Sequence, residues 1–464
     1  MAERYWIETL GCPKNQVDSD KLVGTLALDG FEAADSPEEA DLVVVNTCAF
    51  IEAARQESID TVLSLADARH EGARLVVTGC MAERYGDELA AALPEVDLVA
   101  PFGASLTGAI AVEPTTGADR TPVTIGRKPE TVVPSFDLLN LPRPAASAPW
   151  SYVKVAEGCD RNCGFCAIPS FRGKQRSRTV ASILEEVDQL GATAGTLSEV
   201  VLVAQDLSSF ALDRSTGRTV PRIDGPAIGG KRPIVDLVRA VSERVRWTRL
   251  LYLYPSTLDD ALVEAILATG VPYFDLSLQH VSRPLLKRMR RWGEGDRFLD
   301  RIGSIRSAEP TAAFRSSFIV GYPGETEEDH DRLLAWIEEA RLDWVGFFPF
   351  SNEVGTFAAD LDGQVPEDLV TERIRECTEL QDAITAAKRE ELIGRTVEVL
   401  VDAPGEARTY REAPEIDGIV TVPAHLPVGS FVEVVVTDTD GPDLTAEPTG
   451  GSAHSPLATT GART

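Results

Sequence analysis

Short apolar runs alternate with amphipathic stretches through the first 113 residues. Buried strands are predicted at 5–10, 41–45, 75–78 and 96–99, and helices at about 17–28, 51–67 and 83–93. A strand followed by a helix, repeated several times, is typical of an open parallel sheet. The pattern therefore predicts an N-terminal α/β domain over residues 1–113.

The same alternation returns after a stretch rich in Pro, Thr and Ala, which predicts a linker over 114–144. The next strands are predicted at 152–155, 199–203, 250–253, 273–278, 314–320 and 345–350, with helices such as 181–190 among them. This order favours a complete or partial βα barrel over 145–376, with its chemistry at the carboxyl ends of the strands. Residues 213–232, rich in Gly, Pro and Arg, are expected to form a surface insertion.

The periodicity changes once more near residue 394. Short strands at 397–401, 419–422 and 431–436 are separated by Gly and Pro turns, which predicts a small antiparallel β-barrel over 378–449. Residues 450–464 are rich in Gly, Ser, Thr and Ala and are expected to be disordered. The predicted fold class is therefore α/β: an open parallel sheet domain, a partial βα barrel and a small antiparallel β-barrel.

The composition is that of an ordinary globular chain with enough apolar residues for a large core. Of the 464 residues 43% are hydrophobic and 25% are charged, and no run of 18 apolar residues predicts a membrane span. The first residues lead directly into a strand pattern without the layout of a signal peptide. We therefore expect a cytoplasmic protein, in which seven cysteines indicate metal binding or catalysis rather than disulfides.

Three of the cysteines form a compact triplet after the strand predicted at 152–155. Cys159, Cys163 and Cys166 have the C-x3-C-x2-C spacing that is the signature of radical S-adenosylmethionine (SAM) enzymes. Three thiolates leave one iron of a four-iron cluster open, and in that superfamily the open iron binds SAM. The alternative is a zinc knot, which needs a fourth ligand, and no Cys or His follows Cys166 within a short distance.

A second triplet is dispersed along the N-terminal domain. Cys12, Cys48 and Cys80 each follow one of the predicted strands. Because the carboxyl ends of parallel strands meet at one edge of a sheet, these cysteines are expected to converge and to hold a second iron–sulfur cluster. The alternative is three unrelated buried thiols. Cys377 lies in a helix-like stretch and is predicted to be a thiol without a cluster role.

Several other residues at predicted strand ends are candidates for the radical site. Phe165 is expected to shield the iron or simply to pack in the core, and Gln205 and Gly321 are candidates for SAM binding. His280 is either a general base or metal ligand, or a packed and hydrogen-bonded histidine. A basic run after the cluster loop is predicted to hold a carboxylate or phosphate, or to be a solvated charge run; it contains Arg172, Lys174, Arg176 and Arg178.

The chain is strongly acidic, with a formal net charge of −28. Residues 1–113 hold 21 acidic and 7 basic side chains, and residues 395–464 hold 11 and 4. Nucleic-acid binding depends on Lys and Arg, so both ends would repel RNA and attract a basic protein. Alternatively, the negative charge serves only solubility.

The order of these parts resembles a known family. A three-cysteine domain, a radical SAM core and a C-terminal β-barrel similar to a TRAM domain resemble the radical SAM methylthiotransferases over nearly the whole chain. The resemblance implies two 4Fe-4S clusters, one that cleaves SAM and one that delivers sulfur. It also implies a second SAM as methyl donor, an external electron donor and no membrane partner.

Two sequence segments resemble one branch of that family. Residues 11–15 read Gly-Cys-Pro-Lys-Asn, and residues 167–173 read Ala-Ile-Pro-Ser-Phe-Arg-Gly, as in the RimO-like branch. That branch adds a methylthio group to the β-carbon of an aspartate on the basic small-subunit ribosomal protein twelve. The resemblance makes this the expected reaction, with tRNA an unlikely partner. The alternatives are methylthiolation of a tRNA adenosine and a non-catalytic iron–sulfur or zinc protein.

Overall fold

The computed structural model describes residues 2–104, 106, 138–192, 197–215 and 232–450. Most of the predicted linker 114–144 and of the predicted insertion 213–232 lies outside these residues, as does the predicted tail from residue 451. The chain divides into two compact units. The first contains residues 1–144 with 170–173, and the second contains residues 145–169 and 174–464.

The first unit contains a parallel sheet with the strand order β2-β1-β3-β4-β5, as the alternating pattern predicted. Its central strand β3 is buried along its whole length, which explains the uninterrupted run of Val in the sequence. The elements are β1 Arg4–Thr9, α1 Pro13–Leu28, β2 Glu32–Ala33, β3 Leu42–Thr47, α2 Glu52–Ala68, β4 Arg74–Gly79, α3 Cys80–Ala92 and β5 Leu98–Val99.

The second unit begins with six main parallel strands. They form two three-stranded sheets, β10-β9-β6 and β11-β12-β13, which an isolated bridge between Leu253 and Leu276 joins. This is the partial βα barrel that the sequence predicted. Its elements are β6 Trp150–Lys154, β7 Ala156–Glu157, α4 Ile168–Phe171, β8 Arg176–Ser177, α5 Val180–Ala192, β9 Glu199–Val203, α6 Leu212–Ser215, α7 Pro233–Ser242, β10 Trp247–Leu250, α8 Asp260–Leu267, β11 Tyr273–Gln279, α9 Arg283–Arg288, α10 Gly295–Ala308, β12 Ala313–Val320, α11 Glu327–Ala340, β13 Trp344–Pro349 and α12 Glu367–Glu390.

The same unit ends in a small closed barrel with the order β14-β15-β16-β18-β17. All neighbours are antiparallel except β16 and β18, which pair in parallel. Its core is built mainly from valines. The strands are β14 Thr396–Ala403, β15 Glu406–Arg408, β16 Val420–Thr421, β17 Phe431–Asp440 and β18 Asp443–Pro448.

A buried ion cluster fixes this barrel to the amino-terminal ends of the core strands. Glu199 at the start of β9 accepts from Arg249 Nε at 2.6 Å and pairs with Arg408 Nη1 at 2.9 Å. Arg408 also binds Asp402 at 2.5 Å. All four side chains are almost fully shielded from water. Since a buried charge is costly unless it is paired, the barrel and the core depend on each other for this compensation.

Two further acidic residues of the barrel region point inward in the same way. Glu412 pairs with Arg389 at 2.5 Å and is fully buried. Asp417 pairs with Arg315 at 3.3 Å and accepts from Tyr273 Oη at 2.6 Å. Burial raises the pKa of Asp417 to about 6, although Arg315 lowers it. These carboxylates therefore serve internal pairing and do not contribute to an acidic surface.

None of the helices in the described ranges is both long and apolar enough to span a bilayer.

Candidate iron–sulfur sites

The structure brings the dispersed cysteines together at the carboxyl edge of the first sheet. Cys48 directly follows β3, Cys80 directly follows β4, and Cys12 lies three residues after β1. Strands β1, β3 and β4 are neighbours, so their carboxyl ends are adjacent. A Cβ at Gly11, the residue before Cys12, would lie 3.0 Å from Cys48 Sγ, and Cys80 Sγ lies 3.7 Å from Oδ1 of Asn15, three residues after Cys12. The convergence expected from the sequence is therefore present.

Residues 10–15 fold so as to place Gly11 against Cys48. Gly11 has φ near +100°, and a Cβ at this position would lie 2.9 Å from the Cβ of Cys48, so only glycine fits. Pro13 then starts α1 with Cys12 as the N-cap. Asn15 Nδ2 donates to Leu10 O at 2.8 Å and to Thr47 O at 3.1 Å, which ties the ends of β1 and β3 together.

The three thiols differ in their electrostatic environment. Burial raises the pKa of Cys48 to about 12 and raises that of Cys80 above its ordinary value. Burial also opposes ionisation of Cys12, but the charges of Lys14 and Arg172 outweigh it and lower the pKa of this thiol. Iron binding requires deprotonated thiols, so the positive charges favour the ligand form of Cys12.

One arginine enters this site from the segment 170–173. Arg172 is buried, and its Nη2 donates to Cys80 Sγ at 3.1 Å and to Asn15 Oδ1 at 2.7 Å. Its Nη1 donates to Asp18 Oδ2 at 3.2 Å. From the sequence, Arg172 was predicted to belong to a basic patch beside the radical site. In the structure its guanidinium instead contacts Cys80 of the N-terminal triplet.

That predicted patch is not formed. Arg178 is buried and pairs with Glu186 at 2.6 Å, while Lys174 is exposed. The basic side chains of the run therefore do not face one site, because Arg172 pairs with buried Asp18 and Arg178 pairs with buried Glu186. The interpretation of this run as a single carboxylate or phosphate site was wrong.

The compact triplet lies in the loop from Gly158 to Cys166, after β6 and β7 at the carboxyl end of the partial barrel. Gly164 holds this loop in place: its N–H donates to Met289 O and its carbonyl accepts from Ala358 N, both at 2.8 Å. A Cβ at Gly164 would lie 2.9 Å from Tyr322 Oη, so a side chain here would push the loop out of position. The glycine is needed for close packing behind the cysteines.

The donors around the cysteines fit iron–sulfur ligation. Arg161 N lies 3.4 Å from Cys159 Sγ, and Arg291 Nη1 lies 3.3 Å from Cys163 Sγ. Hydrogen bonds to the sulfurs are characteristic of cluster ligands. Burial raises the pKa of Cys159 to about 11 and that of Cys166 to about 12, so cluster binding would release their protons.

Among the described residues, no group of three Cys, His, Asp or Glu side chains is placed to hold a single metal ion.

An aromatic ring held between two arginines borders the compact triplet. The guanidinium of Arg161 lies 3.8 Å from the ring centroid of Tyr254, and that of Arg291 lies 4.3 Å from it. Asp206 Oδ2 accepts from Arg161 Nε at 2.6 Å and fixes this side of the stack. Neither arginine was identified from the sequence, because Arg161 occupies an unspecified position between Cys159 and Cys163 and Arg291 stands in no recognisable motif.

Gln205 lies two residues after β9, as expected for a residue at the strand end. Its Nε2 donates to Glu157 Oε1 at 2.7 Å, and Glu157 in turn accepts from Lys154 Nζ at 2.6 Å. The amide is thereby oriented, and its Oε1 is buried without a hydrogen-bond partner in the described part of the chain. A fixed, unpartnered acceptor of this kind suits an ammonium group.

The other candidate residues have mainly packing roles in the structure. Phe165 is half-buried and packs against the main core. Gly321 is buried, donates to Glu325 Oε2 at 2.7 Å and faces Val370. His280 is fully buried, and its Nδ1 accepts from Ser282 N at 3.0 Å, in agreement with the packed alternative.

Cys377 lies in the core on α12, and burial raises its pKa to about 12. This agrees with a thiol that has no cluster role.

The remaining acidic surface of the barrel is carried by its outer strand positions. Glu433 on β17 lies opposite Glu398 on β14, and Glu447 on β18 lies opposite Val435 on β17. Like charges on opposed strand positions are unfavourable, so the barrel does not gain stability from them. Glu398 is compensated by Arg246, and the exposed acidic side chains include Glu406, Glu415, Glu433, Asp438, Asp440 and Glu447.

Three family models match successive parts of the chain. Residues 4–101 match a family described as uncharacterized protein family UPF0004, residues 153–337 match the radical SAM superfamily, and residues 393–448 match the TRAM domain. The three matches follow the sheet domain, the partial barrel and the closed barrel in order.

Two curated relatives align with nearly the whole chain. The ribosomal protein uS12 methylthiotransferase RimO of Moorella thermoacetica is 42% identical over 447 residues, which cover 94% of this chain and 96% of the relative. The protein of the same name from Cutibacterium acnes is 40% identical and covers 95% and 97%. Among solved structures, the cobalamin-dependent SAM radical enzyme OxsB aligns with a TM-score of 0.46 and 10% identity over 82% of this chain and 56% of OxsB.

Proposed function

This chain belongs to the RimO family of ribosomal protein uS12 methylthiotransferases, and on that premise we propose that it transfers a methylthio group to ribosomal protein uS12. The observation that carries the proposal is the full-length similarity at about 40% identity, combined with two cysteine triplets at the strand ends. The modified position is the β-carbon of an aspartate.

The six cysteines divide into two ligand sets. Cys159, Cys163 and Cys166 would hold the 4Fe-4S cluster of the radical site, and Cys12, Cys48 and Cys80 would hold the second cluster. When bound, the first cluster supplies the binding point for SAM and the electron for its cleavage, and the second supplies the site of sulfur delivery. The electron comes from an external donor.

The protein's own side chains orient the reactants around the radical site. Gln205 Oε1 would accept a hydrogen bond from an N–H group of SAM, since Glu157 fixes the amide and leaves this oxygen without a partner among the described residues. Arg161 and Arg291 lie against Tyr254 and keep two positive charges beside the cysteines.

We assign these roles to the following domains of the chain. Residues 1–113 form the N-terminal cluster domain, 114–144 the linker, 145–376 the radical SAM core, 378–449 the TRAM-like barrel and 450–464 the tail. The model matches at 4–101, 153–337 and 393–448 support this division.

The acidic barrel favours a basic protein over RNA as the substrate. The exposed carboxylates of the barrel would repel phosphate groups and attract Lys and Arg side chains. This supports the ribosomal protein as partner. The competing reaction is methylthiolation of a tRNA adenosine.

A reconstituted reaction tests the proposal. The anaerobically reconstituted protein should hold about eight irons per chain, and the variant with Cys159, Cys163 and Cys166 changed to Ala should hold about half as many. With SAM, a reductant and sulfide, purified uS12 and tRNA are offered in parallel, and mass spectrometry follows both. We expect one methylthio group on uS12 with the native protein and none with the triple variant. A methylthio adenosine in the tRNA, with unmodified uS12, would overturn the assignment of uS12 as the substrate.

A further inference from the structure

A buried arginine is built into the N-terminal cysteine site. The side chain of Arg172 is only 3% exposed, and that of its partner Asp18 is 1% exposed. Its guanidinium also lies 4.6 Å from the ring centroid of Phe102. The surrounding side chains thus hold the guanidinium on several sides, and its charge cannot be solvated as it would be at a surface.

The orientation of this arginine is specific. Nη2 points to Cys80 Sγ at 3.1 Å and to Asn15 Oδ1 at 2.7 Å, while Nη1 points to Asp18 at 3.2 Å. Asn15 is itself fixed to the ends of β1 and β3. The ion pair is therefore aligned with its positive end at a cysteine and its negative end turned toward α1.

We infer that Arg172 is a positioning residue for the N-terminal iron–sulfur cluster: it donates a hydrogen bond to the Cys80 thiolate and makes the cluster easier to reduce. The inference rests on the proposed assignment of Cys12, Cys48 and Cys80 as cluster ligands. Hydrogen bonds to cluster sulfurs and nearby charge set the reduction potential of a cluster. A positive charge stabilises the reduced form, which carries one more negative charge.

The inferred role of Arg172 predicts shifts in the reduction potential of the N-terminal cluster that a purely structural role does not predict. Removing the positive member by Arg172→Gln should make the potential more negative. Removing the negative member by Asp18→Asn leaves the arginine uncompensated and should make the potential less negative. Arg172→Lys keeps the charge and should lie near the parent value. If Arg172 only packs the segment 170–173, the two members of the pair would not shift the potential in opposite directions.

The experiment uses the full chain with Cys159, Cys163 and Cys166 changed to Ala, so that only the N-terminal cluster is present. The midpoint potential is measured by anaerobic redox titration, followed by electron paramagnetic resonance of the reduced cluster. The matched control is Arg178→Gln, because Arg178 is equally buried and paired with Glu186 but donates to no cysteine in the described contacts. The control should leave the potential unchanged.

The outcomes separate the inference from the proposed function. Opposite shifts for Arg172→Gln and Asp18→Asn, with no shift in the control, support the role of Arg172. Should Arg172→Gln fail to fold, Asp18→Asn still decides the sign, and Arg172→Lys should stay near the parent value. Equal potentials in all variants, or shifts in one direction only, would overturn the inference while leaving the cluster assignment intact. A parent protein that binds no iron would overturn both.

Discussion

Arg291 donates from Nη1 to Cys163 Sγ at 3.3 Å. The same guanidinium lies against Tyr254 and donates to the carbonyl of Ser277, so it is held in place from three sides. The N-terminal site has the same feature, because Arg172 donates to Cys80. In both triplets an arginine from outside the motif contacts one of the three cysteines.

Arg291→Gln should slow reductive SAM cleavage by roughly tenfold or more, because a hydrogen bond to a charged group contributes about 1.5–3 kcal/mol. The rate is measured as formation of 5′-deoxyadenosine by the reconstituted protein. Arg290→Gln is the control, since Arg290 lies over Phe357 at 3.6 Å and makes no described contact with a cysteine. Wild-type rates in Arg291→Gln, at full iron content, would contradict a role for this contact.

Replacing Cys12, Cys48 and Cys80 by Ala should separate the two halves of the reaction. The compact triplet is built from a different unit of the chain, so SAM cleavage should continue at a measurable rate. Methylthiolation of uS12 should stop, because sulfur delivery depends on the second cluster. Both are measured in one reaction, by chromatography of the nucleoside and mass spectrometry of the protein. Continued sulfur insertion would show that the N-terminal cysteines are not required.

The sequence predicted the placement of the cysteines because it depends on local rules. A buried run such as β3 determines where a strand ends, and parallel neighbours bring those ends together. One strand was misplaced: the apolar run at 250–253 continues beyond β10, which spans Trp247–Leu250. Tyr252 has φ near +64° there, so the regular strand ends although the side chains remain apolar. Hydropathy does not report such a break.

Pairing of charges could not be predicted from the sequence. Nothing in the sequence distinguishes Asp402, Glu412 and Asp417 from the exposed carboxylates of the barrel, yet each of these side chains is buried in an ion pair with an arginine. Arg389 and Arg315 come from distant positions in the chain, and Arg408 reaches Asp402 because β14 and β15 pair, so the fold brings each pair together. For the same reason the basic run at 172–178 could not be divided into a cysteine-facing arginine and a structural one.

His280 should make the stability of the protein depend on pH. Burial lowers its pKa to about 4, although Asp329 opposes the shift and His330 and Arg373 add to it. Between about pH 4 and 6.5 the unfolded chain binds a proton at this residue that the folded chain does not. Stability therefore rises with pH through this window and is lost as the pH falls, by up to about 3 kcal/mol.

His280→Asn tests this, because the shorter side chain keeps an acceptor for Ser282 N and removes the titrating group. Urea unfolding between pH 4 and 7 should show a flatter pH profile for the variant than for the native protein. His425→Asn is the control, since His425 is exposed on the barrel. An unchanged slope in His280→Asn would show that other groups cause the acid sensitivity.

The acidic barrel should recruit uS12 through charges that are exposed rather than paired. We expect Glu433→Lys, Asp438→Lys and Glu447→Lys together to weaken uS12 binding by at least tenfold at low ionic strength. The loss should shrink as salt is added, because exposed charges are screened over about 8–10 Å at physiological ionic strength. Binding is measured as Kd at several salt concentrations, with the cluster content of each variant checked first.

A matched triple reversal distinguishes a docking surface from net charge. Asp331, Glu338 and Glu339 are exposed on α11, and changing all three to Lys alters the total charge by the same amount. If the barrel is the docking surface, this control should bind uS12 nearly as the native protein does at physiological ionic strength, because long-range attraction is screened there and only the local field at the contact remains. Equal weakening in both triples would mean that overall charge, not the barrel, attracts the substrate. Tight tRNA binding by the native protein at physiological salt would instead identify RNA as the partner, and the radical site would be unaffected by that result.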